Sequence, residues 1–444
     1  MVKNSNTKQN RISIYPILSV NFVGTLGFSI VLPFLVFLVT KWGGNALIYG
    51  IMGATYSFFQ LIGAPILGRW SDKIGRRKVL LLSQAGTFLS WVILLVAFFL
   101  PVKNLLSVNS SLLGEFTLTL PLLVLFLARA ADGLTGVNVS VATAYLADIS
   151  SDENRHANYG KMSISSNLGF VLGPAMAGIL GATAMGEILP VTAALIISAL
   201  ATVLIIVKLP ESNRCAVSKH PEANDVSKVF GQELKPCFEA ESAKKVSVGE
   251  ILKLKNMKHI LAIYFLIMLA FNFFYIAFPV YAVKTLEWNV TQTGIFFTVL
   301  SLLMVIVQGP VLSRLSKKCS DTFLMATGSI ILVFGFFFFA TTNITLIYIA
   351  AALMALGNGL MWPSTMAALS KAAGDKYQGA VQGYAGSGGA IASIIGLVVG
   401  GVMYGFLEDK IFIMSAIIIF LTALMSISLL LRKGPPPRAI GSLN

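Results

Sequence analysis

Charge, histidine and cysteine are all scarce in this chain. Of its 444 residues only 12% are charged, and there are three histidines and three cysteines. With 56% hydrophobic residues gathered in long runs, so little charge excludes a soluble protein. The runs lack the ten-residue alternation of membrane barrel strands, which excludes a β-barrel. There is no Gly-x-x-x-x-Gly-Lys-Ser/Thr sequence, which argues against an ATP-driven pump, and no His-Glu-x-x-His of a membrane protease. Cys215, Cys237 and Cys319 fall in basic, cytoplasmic-type segments where thiols stay reduced, so no disulfide is expected. Cys215, His220 and Cys237 are irregularly spaced in a polar stretch, a poor match to a zinc site.

What is present is a series of apolar runs, each long enough to cross the roughly 30 Å hydrocarbon layer as a helix. Twelve are expected, at 12–40, 46–68, 79–101, 118–147, 156–182, 188–209, 257–284, 290–313, 320–341, 344–371, 378–406 and 409–432. An even number places both termini on one side. Of the 33 Lys and Arg, 28 lie in the terminal tails, alternate loops and the 210–256 linker; Lys41, Lys103, Lys284 and Lys410 lie on the opposite side and Arg129 within a span. Basic residues are retained inside, so both termini are expected to be cytoplasmic. The net charge of +14 is spread over membrane-flanking loops and gathered on no single face, so no nucleic-acid partner is expected. The first apolar run is too long, and lacks the small-residue pattern, for a cleaved signal peptide. Asn109, Asn289 and Asn343 begin Asn-x-Ser/Thr sequences, which matter only in a secretory pathway.

The chain repeats itself. A shift of 223 residues places Gly136 on Gly359, Asp152 on Asp375, Ala157 on Ala380, Gly160 on Gly383, Gly173 on Gly396 and Gly178 on Gly401. Earlier in each half the shift is 245, placing Pro65 on Pro310, Leu67 on Leu312, Arg69 on Arg314 and Ser71 on Ser316. An external loop near 102–117 absorbs the difference. The organisation expected is an N-terminal six-helix half over 1–209, a linker over 210–256 and a C-terminal six-helix half over 257–444. The linker is rich in Lys, Glu, Ser and Pro without an apolar face, the composition of a mobile tether. A regulatory site in it stays open.

Gly68, Asp72, Lys73, Gly75 and Arg76 match Gly-x-x-x-Asp-Arg/Lys-x-Gly-Arg/Lys in the basic loop after span 2. This resembles the signature loop of the major facilitator superfamily. The resemblance implies an all-α polytopic membrane protein of twelve helices in two six-helix halves, with a cavity between them at mid-membrane. It implies that Asp72 faces the N-terminal end of span 11 near Gln378 and that Arg76 or Arg77 meets Asp148, contacts that gate the carrier. The second-half counterpart, Gly309 to Arg314, lacks the acid and has Lys317 in its place. In span 5, Gly169, Gly173, Pro174 and Gly178 resemble the antiporter motif of the drug-exporting branch, with Ala177 replacing a glycine. Small residues at this spacing also serve ordinary close packing.

Two charges lie deep within a span, Arg129 and Asp132 in span 4. Exposed to lipid at mid-membrane, each would cost roughly 2.5 to 3.5 kcal/mol, so they should face protein or a wet cavity. Three residues apart on a helix, they share a face and can pair. The run from Arg129 to Gly136 resembles the family's span 4 proton-transfer motif in its tetracycline-exporter form, with Asp132 where relatives more often have a neutral residue. Burial and an adjacent guanidinium act on the Asp132 carboxyl in opposite senses, so a changed separation can switch it between holding and releasing a proton. A static ion pair orienting span 4 is the other reading. Tetracycline-type exporters have an acid where this chain has Gly24, so coupling through that acid is unavailable, and no His lies at mid-membrane, His156 and His259 being at helix ends.

Asn21, Gln60, Asn138, Asn167, Asn272, Tyr275, Asn358, Gln382 and Tyr384 are candidate cavity residues, several of which can instead bond helix to helix. Phe334 to Phe339 reads as lipid-facing or packing surface. The function expected is proton-coupled efflux of small organic, drug-like molecules by a monomer in the bacterial inner membrane, needing no cofactor or metal beyond the proton gradient. Its partners would be substrate, protons and lipid. A metabolite or siderophore carrier, or a sensor without turnover, are the alternatives.

Overall fold

The computed structural model describes residues 13–31, 34–111, 113–150, 152–212 and 247–432. Cys215, His220 and Cys237 lie outside the described residues. Eleven stretches are long and apolar enough to cross a membrane. The last, Ala380–Leu431, has 52 residues, more than twice what one crossing needs. A 3-10 turn at Glu408–Lys410 divides it, with Glu408 at φ 48°, so the described residues make twelve crossings.

The chain forms two compact units, Met1–Ala243 with Trp288–Thr298, and Lys244–Glu287 with Val299–Asn444. In the first unit, span 1 is Tyr15–Val31 with Leu35–Lys41, span 2 Ala46–Ile74, span 3 Arg76–Ala97, span 4 Leu120–Thr135 with Asn138–Ile149, span 5 Asp152–Gly181 and span 6 Ile188–Lys208. Its second stretch begins span 8 (Val290–Ile306). The second unit holds span 7 (Met257–Lys284), the rest of span 8 with a π-helical turn at Val307–Val311, span 9 (Asp321–Phe339), span 10 (Ile344–Gly374), span 11 (380–407) and span 12 (Ile411–Arg432). Spans 10 and 11 are separated at Gly374, whose φ of 59° no helix accommodates.

A two-stranded hairpin, β1 (Asn104–Ser110) and β2 (Gly114–Thr119), fills the loop between spans 3 and 4. It is docked on the turn after span 1: the Thr117 N–H donates to Gly43 O (2.8 Å), Asn45 Nδ2 to Leu113 O (2.9 Å) and Thr119 Oγ1 to Trp42 O (2.8 Å).

Two expectations about the spans need correction. The basic stretch after Gly68 is helical through Ile74, and Gly75 alone (φ 107°, ψ 150°) separates span 2 from span 3. One residue in that conformation suffices for the turn, so the flanking residues stay helical. Nor is span 4 continuous: it breaks at Gly136 and Val137. Freed backbone groups in a membrane must be satisfied by neighbours. Ser83 Oγ donates to Thr135 O and accepts from the Val137 N–H (3.2 Å), while Gln60 Nε2 donates to Gly136 O (2.8 Å). By the internal repeat, Gln60 and Ser83 correspond to Val305 and Gly328, which offer no such groups. Span 10 accordingly runs unbroken past Gly359, the counterpart of Gly136.

The aromatic run of span 9 divides as helical spacing requires. Phe336 and Phe339 are buried against Phe274 of span 7, whereas Phe334 and Phe337 are exposed.

Candidate functional site

Arg129 and Asp132 lie on one face of the upper part of span 4 and are largely buried. Arg129 Nη1 stands 3.4 Å from Asp132 Oδ2, longer than the 2.7–2.9 Å of a tight charge-assisted bond. Thr87 Oγ1 of span 3 donates to Asp132 Oδ1 (3.0 Å), and the guanidinium lies 4.6 Å from the centre of the Tyr56 ring in span 2. A cation over an aromatic face is attracted by the ring quadrupole, so Tyr56 shares the charge with Asp132. Tyr56 Oη accepts from Gln60 Nε2 (3.2 Å), which links the pair to the span 4 break. The repeat places Leu332, Ala352 and Ala355 at the positions of Thr87, Arg129 and Asp132. The first unit alone therefore carries this polar cluster.

At the other end of span 4, Arg76 joins Asp72, Asp148 and Ser71. Its Nη1 is 2.6 Å from Asp72 Oδ1, its Nε is 3.0 Å from Asp148 Oδ2, and Nη1 also donates to Ser71 Oγ (2.9 Å). Arg76, not Arg77, thus meets Asp148; Arg77 donates to the carbonyls of Ile205 and Ile206 at the end of span 6. Gly75 is held at positive φ, and a Cβ there would collide with the Glu211 carboxylate. Gly68 has open space around it and serves no close approach.

Glu211 is the residue that sequence reasoning missed. Its Oε1 accepts the Arg76 N–H (2.7 Å) and its Oε2 the Arg77 N–H (3.1 Å), capping the start of span 3 from beyond span 6. Gly75 has no side chain to cap with. Its counterpart Ser320 caps span 9 directly, Oγ accepting from the Phe323 N–H at 3.3 Å.

The second-half loop lacks the acid but keeps one ion pair at the matching positions. Asp72, Arg76 and Asp148 correspond to Lys317, Asp321 and Lys371. Every sign is inverted, and Lys371 Nζ is 2.5 Å from Asp321 Oδ2. Applying the repeat to the charged positions would have revealed this pair.

The span 5 motif is a close-packing seam. A Cβ on Gly169 would stand 2.9 Å from the Leu26 N and one on Gly173 2.8 Å from the Ile30 N, both of span 1. The freed space admits Ser29, whose Oγ donates to Gly169 O (2.8 Å). Gly178 faces Gly294 in the same unit, and Thr291 Oγ1 donates to Gly178 O (3.1 Å). Pro174 sits within the helix, its carbonyl oxygen 2.9 Å from where a Cβ on Gly294 would lie.

The cavity candidates separate by partner. Asn21 donates to Ser166 Oγ (2.7 Å) and Met162 O (3.3 Å), joining spans 1 and 5. Asn272 donates to Ser393 Oγ (3.0 Å), joining spans 7 and 11, and Gln60 holds the span 4 break. These three tie helix to helix. Asn358 Nδ2 lies 3.9 Å from Met304 Sδ, and Tyr275 packs beside Phe271 and Phe274 while remaining 39% exposed. Asn138 opens the lower part of span 4 with its Oδ1 buried and unpartnered among the described residues. Asn167, Gln382 and Tyr384 are half-buried, on spans 5 and 11. Cys319 is a free thiol.

Twelve apolar crossings, an internal repeat and a buried ion pair with its own polar partners define a membrane transporter. Residues 17–342 and 260–443 match the Major Facilitator Superfamily family model, and the chain belongs to that superfamily. It is 27% identical over 387 residues to the class E tetracycline resistance protein of Escherichia coli, covering 86% of this chain and 85% of that one. It is 22% identical over 414 residues to multidrug resistance protein 2 of Bacillus subtilis (strain 168), covering 91% of each. The fold resembles the crystal structure of the human organic anion transporter MFSD10 (TETRAN), with a TM-score of 0.64 at 18% identity over 94% of this chain and 99% of that one. The protein is thus a multi-pass membrane transporter and not an enzyme.

Proposed function

We propose that this transporter exports small organic, drug-like molecules in exchange for protons, working as a monomer in a bacterial inner membrane with both termini cytoplasmic. The observation that carries the reading is the Arg129–Asp132 pair: buried, held at 3.4 Å, and replaced by alanines in the second half. An ionisable pair is costly within a membrane and marks a proton or substrate path. The similarity to tetracycline and multidrug resistance proteins supports export of such compounds.

In this mechanism, protonation of Asp132 releases Arg129, and proton and substrate binding oppose one another through the coupling they share. Thr87 and Tyr56 hold the two partners while they separate. Gly68, Asp72, Gly75, Arg76, Arg77 and Asp148 form the gate at the cytoplasmic side, and Gly169, Gly173, Pro174 and Gly178 let span 5 slide on its neighbours. The two halves rock about the substrate, the alternating access of this architecture. Asn138, Asn167, Tyr275, Asn358, Gln382 and Tyr384 are the cavity residues that contact substrate, and the proton gradient is the energy source.

The test is proton movement in inside-out vesicles as lipophilic drugs and metabolites are added. Drug-triggered proton release that vanishes in Asp132→Asn supports the proposal. Equal release in both proteins moves coupling away from Asp132, and a response to metabolites alone overturns drug export.

A further inference from the structure

Two hydrogen-bond donors beside the ion pair have no acceptor among the described residues. They are Arg129 Nε and the indole Nε1 of Trp91, which is 5% exposed. A buried donor left unpaired costs about 1 to 3 kcal/mol, so two in one place call for an explanation. Both side chains wall a single small cavity between spans 1, 3 and 4, with Ser90, Leu94, Leu35 and Asp132 among the other residues lining it. Its volume of about 10 Å³ is the least that holds one water.

We infer that this cavity is the binding site of a single water molecule, which accepts from Trp91 and Arg129 and donates to Asp132. The stoichiometry suits a water, which offers two acceptor positions and two hydrogens. Each Asp132 oxygen has one protein donor, Thr87 or Arg129, and keeps capacity for another. The Ser90 hydroxyl donates to Gly86 O (2.9 Å) and so presents its oxygen as an acceptor for the second hydrogen. An anion is disfavoured by the Asp132 carboxylate, and an organic group is too large. The titratable groups around the pair are Arg129 on its own helix and Tyr49 and Tyr56 on span 2; span 3 contributes only the neutral Thr87, Ser90 and Trp91.

This water deepens the proton-coupling proposal by giving Asp132 a hydrogen-bonded neighbour that remains when Arg129 moves away. Trp91 becomes a positioning residue: it touches neither proton nor substrate and acts through the water.

The experiment is infrared difference spectroscopy of the reconstituted protein across a pH jump, in ordinary water and in H2(18O). A water O–H band that shifts with the isotope and is lost in Trp91→Phe, which keeps the ring and removes the N–H, supports the site. The pH midpoint of drug-triggered proton release should also move in that variant by roughly half to one unit, the worth of one hydrogen bond, with drug KM unchanged well above the midpoint, where Asp132 is ionised in both proteins. No isotope-sensitive band in the unmodified protein, or an identical band in the variant, overturns the site even where the variant folds poorly. The pH jump needs no substrate, so unaltered proton release in Asp132→Asn would sink the coupling proposal while the band still decides the water.

Discussion

The carboxylate of Glu211 caps the backbone of Arg76, reaching across from the third residue after span 6 to the first turn of span 3. Both its oxygens are used, on consecutive N–H groups, and a negative group at a helix start is also favoured by the helix dipole. Glu211→Ala should therefore lower stability by about 0.5 to 2 kcal/mol, the range for loss of a helix cap. Glu211→Gln, which keeps one acceptor, should lose less. Thermal unfolding in detergent measures both, and equal Tm values for all three proteins would refute the cap.

The Arg76 triad and the Lys371–Asp321 pair predict unequal effects. Arg76 is largely buried between two carboxylates, whereas Lys371 is mostly exposed. Arg76→Ala should leave Asp148 short of its partner and cut transport at least tenfold, while Lys371→Ala should change stability by less than about 1 kcal/mol, as exposed pairs do. Swapping Arg76→Asp with Asp148→Lys should not restore function, because the new acid would face Asp72 and Glu211. Drug efflux from cells expressing each variant gives the comparison.

For the pair in span 4, Arg129→Gln should be severely destabilising, since a buried carboxylate without its partner costs about 3 to 5 kcal/mol. Adding Asp132→Asn should recover expression and Tm but not coupled proton release. A double variant as unstable as the single would mean that Arg129 matters through Tyr56 and packing.

Glycines should differ by their surroundings. Gly173→Val should collapse expression, because a Cβ would strike Ser29 and the span 1 backbone. Gly24→Ala and Gly68→Ala should fold normally, a Cβ at either position meeting open space. Size-exclusion profiles in detergent distinguish these outcomes.

The crossings were legible because span length and the Lys and Arg bias are properties of one segment at a time. The break in span 4 was not, because Gly136 alone does not interrupt a membrane helix; Ser83 and Gln60 on two other spans make it stable. The Arg129–Asp132 pair was readable from helical spacing, but Thr87 and Tyr56 were not, since nothing in sequence announces that they converge there. Glu211 was hidden for another reason: it begins a stretch with a linker's composition, yet its two oxygens bind a helix start. Asn21 and Asn272 looked like cavity residues by polarity alone, whereas their partners on spans 5 and 11 make them rivets between helices.

The break at Gly136 also turns span 4 into two rods on a pivot. The first rod carries Arg129 and Asp132, the second carries Asp148, and the pivot is pinned by two side chains. A rigid rod would transmit every tilt of one end to the other at once. Under the proposed proton exchange, a jointed one lets the end with Arg129 and Asp132 and the end with Asp148 swing in sequence, with Ser83 and Gln60 setting the stiffness of the joint between them.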